Sequence, residues 1–241
     1  LPKETRLLLD PDKTARGIYD HVGCTPVFGG TGVAKLKAIK TGAMISNLAT
    51  AMEKDGVALT RFFTMVEREY PEGKLTELEL SRRLRKLRLA DPSCVDESFS
   101  TIVGWNANGA IVHYEPTEES SAAIVGDGLL LVDSGGQYIY GTTDITRTIA
   151  LGQPTAGQRH DFTLVMKGHI ALSNAIFPQG TTGHQLDALA RQFLWKEGKA
   201  YYHGTGHGVG FFINCHEGPQ NIRLNINPTP LEPGMITSNE P

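Results

Sequence analysis

The sequence is poor in cysteine and has no long hydrophobic run. Its three cysteines, Cys24, Cys94 and Cys215, are widely spaced, and an odd number does not favour a disulfide framework. We therefore expect a reduced, intracellular protein of the cytoplasm. The longest run of leucine, isoleucine and valine covers only residues 129–132, whereas a membrane-spanning helix needs about 20 apolar residues.

An excess of charge of one sign is also missing. The chain has 23 lysines and arginines against 26 aspartates and glutamates, and its formal net charge is −3. The two signs are interspersed, so the sequence predicts neither a nucleic-acid surface nor an acidic tail. The opening residues, "LPKETR", lack the apolar segment of a signal peptide. Because the first residue is not Met and the sequence stops at "SNEP", we expect a piece of a longer gene product.

The chain of 241 residues is long enough for a full hydrophobic core, and suits one large domain or a domain with a remnant of another. Residues 1–32 are rich in turn formers and lack a sustained period, which predicts a short strand or two and a linker. Four helical patterns follow. The first begins at Thr41 and ends before Pro71; the others begin at capping pairs, which are Thr76 with Glu79, Thr155 with Gln158, and Thr182 with Gln185.

Helical periodicity also predicts which side chains of these helices face the interior. The apolar residues expected on the inner faces are Ile45, Leu48, Met52, Leu59, Phe62, Phe63 and Val66 in the first helix, Leu80, Leu84 and Leu87 in the second, Phe162, Val165, Met166 and Ile170 in the third, and Leu186, Leu189, Phe193 and Leu194 in the fourth. Short β-like runs bounded by Gly, Pro, Asn or Asp lie between the two helix pairs and after the second. This order predicts an α+β domain of two similar halves, without a visible residue-level repeat.

Two aspartates lie where chemistry is often found. Asp133 ends the apolar run "LLLVD", and Asp144 lies in the next strand-like run. If the chain between them crosses to a paired strand, both carboxylates reach one side of a sheet. An aspartate that caps a turn is the alternative for either residue alone. Together with His207 and Glu240, they form a set of oxygen and imidazole ligands that suits Mn, Co, Fe or Zn.

Histidines and glycines are concentrated in "HGTGHGVG" and "NCHEGP", which contain His203, His207 and His216. Such a stretch can hold a metal, transfer protons or form a turn. The glycines around His207 would let a backbone or a substrate approach closely. Cys215 has no partner arrangement that would make it a nucleophile, so we interpret it as a small buried side chain.

Three motifs, "LLLVDSGGQYIYGTTDITRT", "HGTGHGVGFFINCHEGP" and "LEPGMITSNEP", resemble those of aminopeptidase P, the X-Pro aminopeptidases among the pita-bread creatinase/aminopeptidase metallopeptidases. The resemblance runs from about Thr31 to Pro241. It implies an α+β pita-bread fold, in which a curved antiparallel sheet is flanked by two pairs of helices in two similar halves, here without the final strand. It also implies that residues 1–32 are the tail of a preceding non-catalytic domain with its linker, and that residues 33–241 are the catalytic domain.

The resemblance assigns roles to individual residues. It implies that the metal ligands are Asp133, Asp144, His207 and Glu240, with Asp144 bridging two divalent ions, manganese before zinc or cobalt. It implies that His113, His203 and His216 position the substrate or move protons beside the scissile bond. A fifth ligand of the family, a glutamate on a following strand, is not in this sequence, so we expect weak or partial metal binding and little activity from the chain as it stands.

The resemblance implies that the intact protein is a homodimeric metalloexopeptidase. It would hydrolyse the bond between an N-terminal residue and a following proline through a hydroxide that bridges two metal ions, because two cations lower the pKa of bound water toward neutrality. One alternative is an X-Pro dipeptidase or a methionine aminopeptidase, which would share these ligands. The other is a pita-bread module that binds a peptide or a protein without catalysis; the four retained ligand positions favour an enzyme.

Overall fold

The computed structural model describes residues 1–11, 13–30 and 32–241, and its internal contacts divide the chain into two units, Leu1–Lys37 and Ala38–Pro241. Thr31, where the resemblance begins, lies outside the described residues. The smaller unit contains two parallel strands, β1 (Arg6–Leu9) and β2 (Thr25–Phe28), with helix α1 (Arg16–His21) between them in sequence. Helix α2 (Gly32–Ala38) follows β2. The domain boundary proposed at residue 32 stays a prediction.

The larger unit repeats the order of two helices followed by strands. Its elements are α3 (Gly42–Glu69), α4 (Glu77–Leu89), β3 (Cys94–Glu97), β4 (Ile102–Trp105), β5 (Gly128–Ser134), β6 (Gly136–Tyr138), β7 (Gly141–Thr142), β8 (Ile145–Leu151), α5 (Ala156–Ser173), α6 (Gly183–Trp195), β9 (Gly206–Val209) and β10 (His216–Ile222). The chain is therefore α+β, as the sequence predicts. Among the described residues, no helix is both long and apolar enough to cross a lipid bilayer.

The strands of the larger unit pair antiparallel. One sheet has the order β4-β5-β8, a second has the order β3-β6-β7, and β9 pairs with β10. In the first sheet, Asp133 on β5 lies opposite Thr146 on β8. This register places the end of β5 beside the start of β8, where Asp144 precedes the strand.

Helices α3 and α4 cover the first sheet with a common apolar core. The Thr41 hydroxyl accepts a hydrogen bond from the Met44 amide and begins α3, and the Thr76 hydroxyl accepts one from the Glu79 amide and begins α4. The core of this half contains Leu59, Phe62, Val66, Leu80, Leu84, Val103, Leu130 and Val132. The prediction of inward positions was wrong for Ile45 and Met52, which are exposed. The buried stripe of α3 runs instead through Ala51, Asp55 and Ala58, which a search for large apolar residues does not find.

Helices α5 and α6 form the second pair, and both predicted capping boxes are present at Thr155 and Thr182. The inner face of α5 differs from the prediction, which was wrong for Phe162, Met166 and Ile170: all three side chains are exposed. The buried residues of the pair are Leu164, Gly168 and Leu172 on α5, and Leu186, Ala190 and Leu194 on α6. Gly168 explains the difference, because a Cβ there would lie 2.1 Å from the Ala190 carbonyl oxygen. The helices approach closely along a face that glycine makes possible.

We expect Gly168→Ala to lower the free energy of unfolding by about 1–3 kcal/mol, since the new methyl group would overpack against a backbone oxygen. Alanine is normally more stabilising than glycine in a helix by up to ~1 kcal/mol. A loss of stability in Gly168→Ala would therefore indicate a steric clash and not a change in helix propensity. Gly157→Ala in the same helix is the matched control, because its Cβ would meet only the Thr155 hydroxyl at 3.9 Å. Denaturant unfolding measures both variants; a Gly168→Ala protein as stable as the Gly157→Ala protein would contradict the close approach.

Candidate metal centre

The two candidate aspartates lie at neighbouring points of the first sheet. Asp133 belongs to β5, and its Oδ1 accepts a hydrogen bond of 2.7 Å from the Thr146 hydroxyl. Asp144 lies between β7 and β8, after the short turn that joins β6 to β7. The β5–β8 pairing therefore brings together two residues that are eleven positions apart in sequence, as the crossing expected between them requires.

His207 meets Asp144 from another part of the chain. The residue lies on β9, and its Nε2 is 3.1 Å from Asp144 Oδ2 and 3.1 Å from Glu240 Oε1. Its backbone amide donates to the Ser238 hydroxyl at 2.9 Å, and the Ser238 amide donates to the His207 carbonyl at 2.9 Å. The His207 ring is thus held between two carboxylates by the segment that carries one of them.

Glu240 is fixed by backbone pairing alongside β9. Its amide donates to the Thr205 carbonyl at 2.7 Å, and Thr237 forms an isolated antiparallel bridge with Gly208. One ligand atom from each of Asp144, His207 and Glu240 lies within 4.8 Å of the others. Two carboxylates and one imidazole at this spacing can coordinate a divalent cation.

Asp133 is the fourth predicted ligand, and it lies close enough to the other three for their charges to act on it. Burial raises the pKa of Asp133 to about 6, the Thr146 hydrogen bond opposes this rise, and the negative charges of Asp144 and Glu240 add to it. A nearby cation would stabilise the ionised form of a carboxyl group in such surroundings. The assignment of the four residues as ligands stays a prediction, which the convergence of Asp144, His207 and Glu240 supports.

The charge balance of the cluster also favours a cation. Burial disfavours the charged form of His207, but Asp144 and Glu240 outweigh it and raise the pKa of the imidazole to about 10. The imidazolium then supplies positive charge beside the carboxylates, in the place where a metal ion would supply it. Metal binding at an imidazole requires loss of this proton.

Cys215 is nearer to the cluster than its sequence position suggests. Its Sγ donates a hydrogen bond to Asp144 Oδ2 at 3.3 Å, and the side chain is buried. Burial and the nearby Asp144 carboxylate raise the pKa of the thiol far above its usual range. The thiol therefore stays protonated, which agrees with the interpretation of Cys215 as a buried side chain that is not a nucleophile.

The predicted catalytic histidines are placed differently from one another. The His216 ring packs edge-on against the His207 ring at 4.1 Å between centroids, and the His113 ring lies 6.5 Å from that of His216. The side chains of all three histidines are exposed. The His203 ring lies 4.8 Å from the Tyr201 ring, and its Nδ1 lies 2.8 Å from the Gly204 carbonyl oxygen. Within the described part of the chain, the ring contacts join His113 and His216 to His207 but do not include His203.

Partial desolvation and the neighbouring His207 both lower the pKa of His216, which favours the neutral form of its imidazole. A neutral imidazole can donate a hydrogen bond from one ring nitrogen and accept a proton at the other. His113 has a φ of 57°, which is uncommon outside glycine and often marks a functional position.

The sequence motifs did not predict two hydroxyl groups that hydrogen-bond to the candidate ligands. Thr146 donates to Asp133, and Ser238 accepts from the amide of His207. Both residues lie two positions from a candidate ligand in the sequence motifs, Thr146 from Asp144 and Ser238 from Glu240. A hydroxyl residue within two sequence positions of a predicted ligand, in the same motif, is the signal that would have indicated both.

Comparison with known proteins adds to this geometry. Residues 46–241 match the model of metallopeptidase family M24. Aminopeptidase P2 of Arabidopsis thaliana is 48% identical over 207 residues, which cover 85% of this chain and 29% of that protein. The probable Xaa-Pro aminopeptidase P of Laccaria bicolor is 41% identical over 245 residues, which cover 100% of this chain and 38% of that protein. The chain thus spans about a third of the length of these curated relatives.

Solved structures show the same fold. The X-prolyl aminopeptidase of Caenorhabditis elegans, described as a cytosolic enzyme with a di-nuclear active site, superposes with a TM-score of 0.84 at 38% identity, over 90% of this chain and 36% of that one. The Xaa-Pro dipeptidase of Bacillus anthracis superposes with a TM-score of 0.82 at 26% identity, over 96% of this chain and 63% of that one. These matches confirm the predicted resemblance and the α+β pita-bread fold.

Proposed function

The chain belongs to metallopeptidase family M24, and on this premise we propose that the intact protein is a metal-dependent X-Pro aminopeptidase, which hydrolyses the bond between an N-terminal residue and a following proline. The observation that carries the proposal is the convergence of Asp144, His207 and Glu240 within 4.8 Å, with His216 packed against His207. The similarity to aminopeptidase P over most of the chain supports the substrate class.

We propose that Asp133, Asp144, His207 and Glu240 hold two divalent cations. Carboxylate oxygens with one imidazole suit manganese, with zinc or cobalt as alternatives. The partly buried, mutually repelling carboxylates described above fit such a group, because cations would neutralise them. When bound, the cations supply the positive charge that activates water and stabilises the oxyanion of the attacked carbonyl.

The histidines contribute the proton transfers. A neutral His216 can donate a hydrogen bond to an oxyanion that forms beside His207. The nitrogen of an X-Pro bond carries no hydrogen and leaves as a secondary amine, so it must gain a proton. The imidazole of His216 or His113 would first accept a proton from the attacking water, as the base, and then pass that proton to this nitrogen, as the acid. His203 stays a prediction as a residue that positions the substrate, since its described ring contact is with Tyr201.

A peptide series tests the function in the intact protein with Mn²⁺ present. We expect cleavage of Ala-Pro-Ala after the first residue, with Ala-Ala-Ala cleaved at least about a hundredfold less efficiently. Chelation should abolish the activity, and Mn²⁺ should restore it. Equal cleavage of the two tripeptides, detected as released alanine, would contradict proline specificity.

The same series separates the alternatives. The likeness to the Bacillus anthracis dipeptidase keeps an X-Pro dipeptidase as the second candidate, and that enzyme would cleave Ala-Pro but not Ala-Pro-Ala. Binding of both peptides without hydrolysis would favour a module without catalysis. The homodimer and the cytoplasmic location stay predictions, which rest on the resemblance and on the cysteine pattern.

A further inference from the structure

A fully buried ion pair lies beneath the candidate metal centre. Asp55 on α3 and Arg88 on α4 are both 0% exposed. Arg88 Nε donates to Asp55 Oδ1 at 2.6 Å, and Arg88 Nη2 donates to Asp55 Oδ2 at 3.2 Å. Removing two charges from water is costly, and an apolar pair of similar volume is often at least as stable. Stabilisation of the packing of α3 on α4 therefore does not by itself explain why this pair is charged.

The carboxylate of the pair holds the residue before Asp144. The Thr143 hydroxyl donates to Asp55 Oδ2 at 2.6 Å, and the same oxygen of Thr143 accepts from the Gly136 amide at 2.8 Å. Thr143 is fully buried. The position of its backbone, and so of the Asp144 backbone that follows, depends on where Asp55 lies.

The guanidinium of the pair holds the residue after Asp133. Arg88 Nη2 donates to the Ser134 hydroxyl at 3.0 Å, and Ser134 is also fully buried. Ser134 lies at the end of β5 opposite Ile145 of β8. One ion pair thus touches the sequence neighbours of both candidate aspartates.

The second half of the chain contains a similar arrangement, in which both charged residues lie on one helix. Asp187 and Arg191 on α6 are buried, and Arg191 Nε donates to Asp187 Oδ2 at 2.6 Å. The Thr205 hydroxyl donates to Asp187 Oδ1, and the Thr205 carbonyl accepts the amide hydrogen bond of Glu240. Thr205 also precedes His207 by two residues. A buried acid–arginine pair with a threonine hydroxyl therefore lies behind the candidate ligands of each half.

We propose that these two buried pairs are positioning devices: Asp55–Arg88 sets the spacing of Asp133 and Asp144, and Asp187–Arg191 sets the placement of His207 and Glu240. The proposal rests on the proposed metal-dependent function. Two carboxylates that converge without a cation repel each other, so their backbones must be held before the cations arrive. Charged pairs with directional hydrogen bonds fix the positions of the residues they contact more narrowly than apolar contacts do. Groups that orient metal ligands typically have a strong effect on metal affinity.

A matched pair of variants at Thr143 tests the device and leaves the ion pair intact. Thr143→Val keeps the shape of the side chain and removes the hydroxyl; Thr143→Ser keeps the hydroxyl. In the intact protein, we expect Thr143→Val to weaken Mn²⁺ binding by about tenfold or more for at least one ion, and Thr143→Ser to stay within about threefold of the unaltered protein. Calorimetric titration with Mn²⁺ measures the affinities, and thermal unfolding of the metal-free proteins measures their stability.

Glu77→Gln is the control for a loss of stability alone. Glu77 is a fully buried carboxylate that accepts hydrogen bonds from Trp105, Asn108, Tyr114 and Ala122, none of which is next to a candidate ligand in sequence. It should lower the unfolding temperature with Mn²⁺ affinity unchanged. Ser134→Ala, which removes the hydroxyl that Arg88 contacts, replaces Thr143→Val if that variant does not fold, and should weaken binding by about threefold or more.

Unchanged Mn²⁺ affinity in Thr143→Val, or equal losses in Thr143→Val and Thr143→Ser, would overturn the device. So would a loss in Glu77→Gln as large as that in Thr143→Val, because affinity would then follow stability alone. An unaltered protein that binds Mn²⁺ and does not cleave Ala-Pro-Ala would overturn the proposed function, while the affinity comparison would still decide the device. An unaltered protein that binds no Mn²⁺ would overturn both.

Discussion

Asp144→Asn is expected to reduce turnover of X-Pro peptides in the intact protein by about a thousandfold or more, the scale seen when an essential group is removed. Asp144 lies at the centre of the cluster: its Oδ2 is 3.1 Å from His207 Nε2 and 3.3 Å from Cys215 Sγ. The amide has nearly the same shape but carries no negative charge. The site would lose charge neutralisation for its cations, and we expect metal content to fall together with kcat/KM.

Steady-state kinetics and elemental analysis of the purified variant measure this prediction. Asp161→Asn is the matched control, since Asp161 is an exposed residue of α5 whose partner is Lys199. That variant should keep full activity and metal content. An Asp144→Asn protein that retains two metal ions per chain and more than a tenth of the activity would show that Asp144 is not required for the site.

His216→Ala should lower kcat by about a hundredfold or more, the usual scale of general acid–base catalysis, with metal content retained. The His216 ring packs on His207 without lying among the three residues whose ligand atoms converge. Partial desolvation and the positive His207 lower its pKa in the metal-free protein, which favours the neutral imidazole, and the exposed side chain is available for hydrogen bonding to a substrate. Its removal affects the reacting groups rather than the binding of cations.

The kinetics of His216→Ala should be compared with those of His160→Ala. His160 is exposed on α5 and lies 2.5 Å from a Glu197 carboxylate oxygen, so its removal should leave kcat and metal content unchanged. Loss of both ions in His216→Ala would mean that this histidine is a ligand. An unchanged kcat would mean that the proton transfers use another group, with His113 the next to test.

Sequence motifs alone led to most of the candidate centre. Asp144, His207 and Glu240 come from three separate motifs, and the structure brings their side chains together. Each motif specifies its local backbone conformation through turn residues and through the alternation of apolar and polar residues. Proteins with similar motifs therefore have similar local geometry there. The helix starts were predictable for a similar reason. A capping box, such as Thr155 with Gln158, satisfies amide groups of its own first turn and needs no partner from elsewhere in the chain.

What the sequence determined by itself is therefore the set of local elements, their order and the candidate residues for the chemistry. Only the tertiary structure decided which helix face is buried and what supports the site. Phe162 is exposed and Gly168 is buried on the same helix, because the α6 backbone approaches the helix closely at Gly168. Likewise, Asp55 and Arg88 are 33 residues apart and would each be expected at the surface. They are buried because the packing of α3 on α4 pairs their charges, and pairing of this kind depends on contacts between distant segments that no local pattern records.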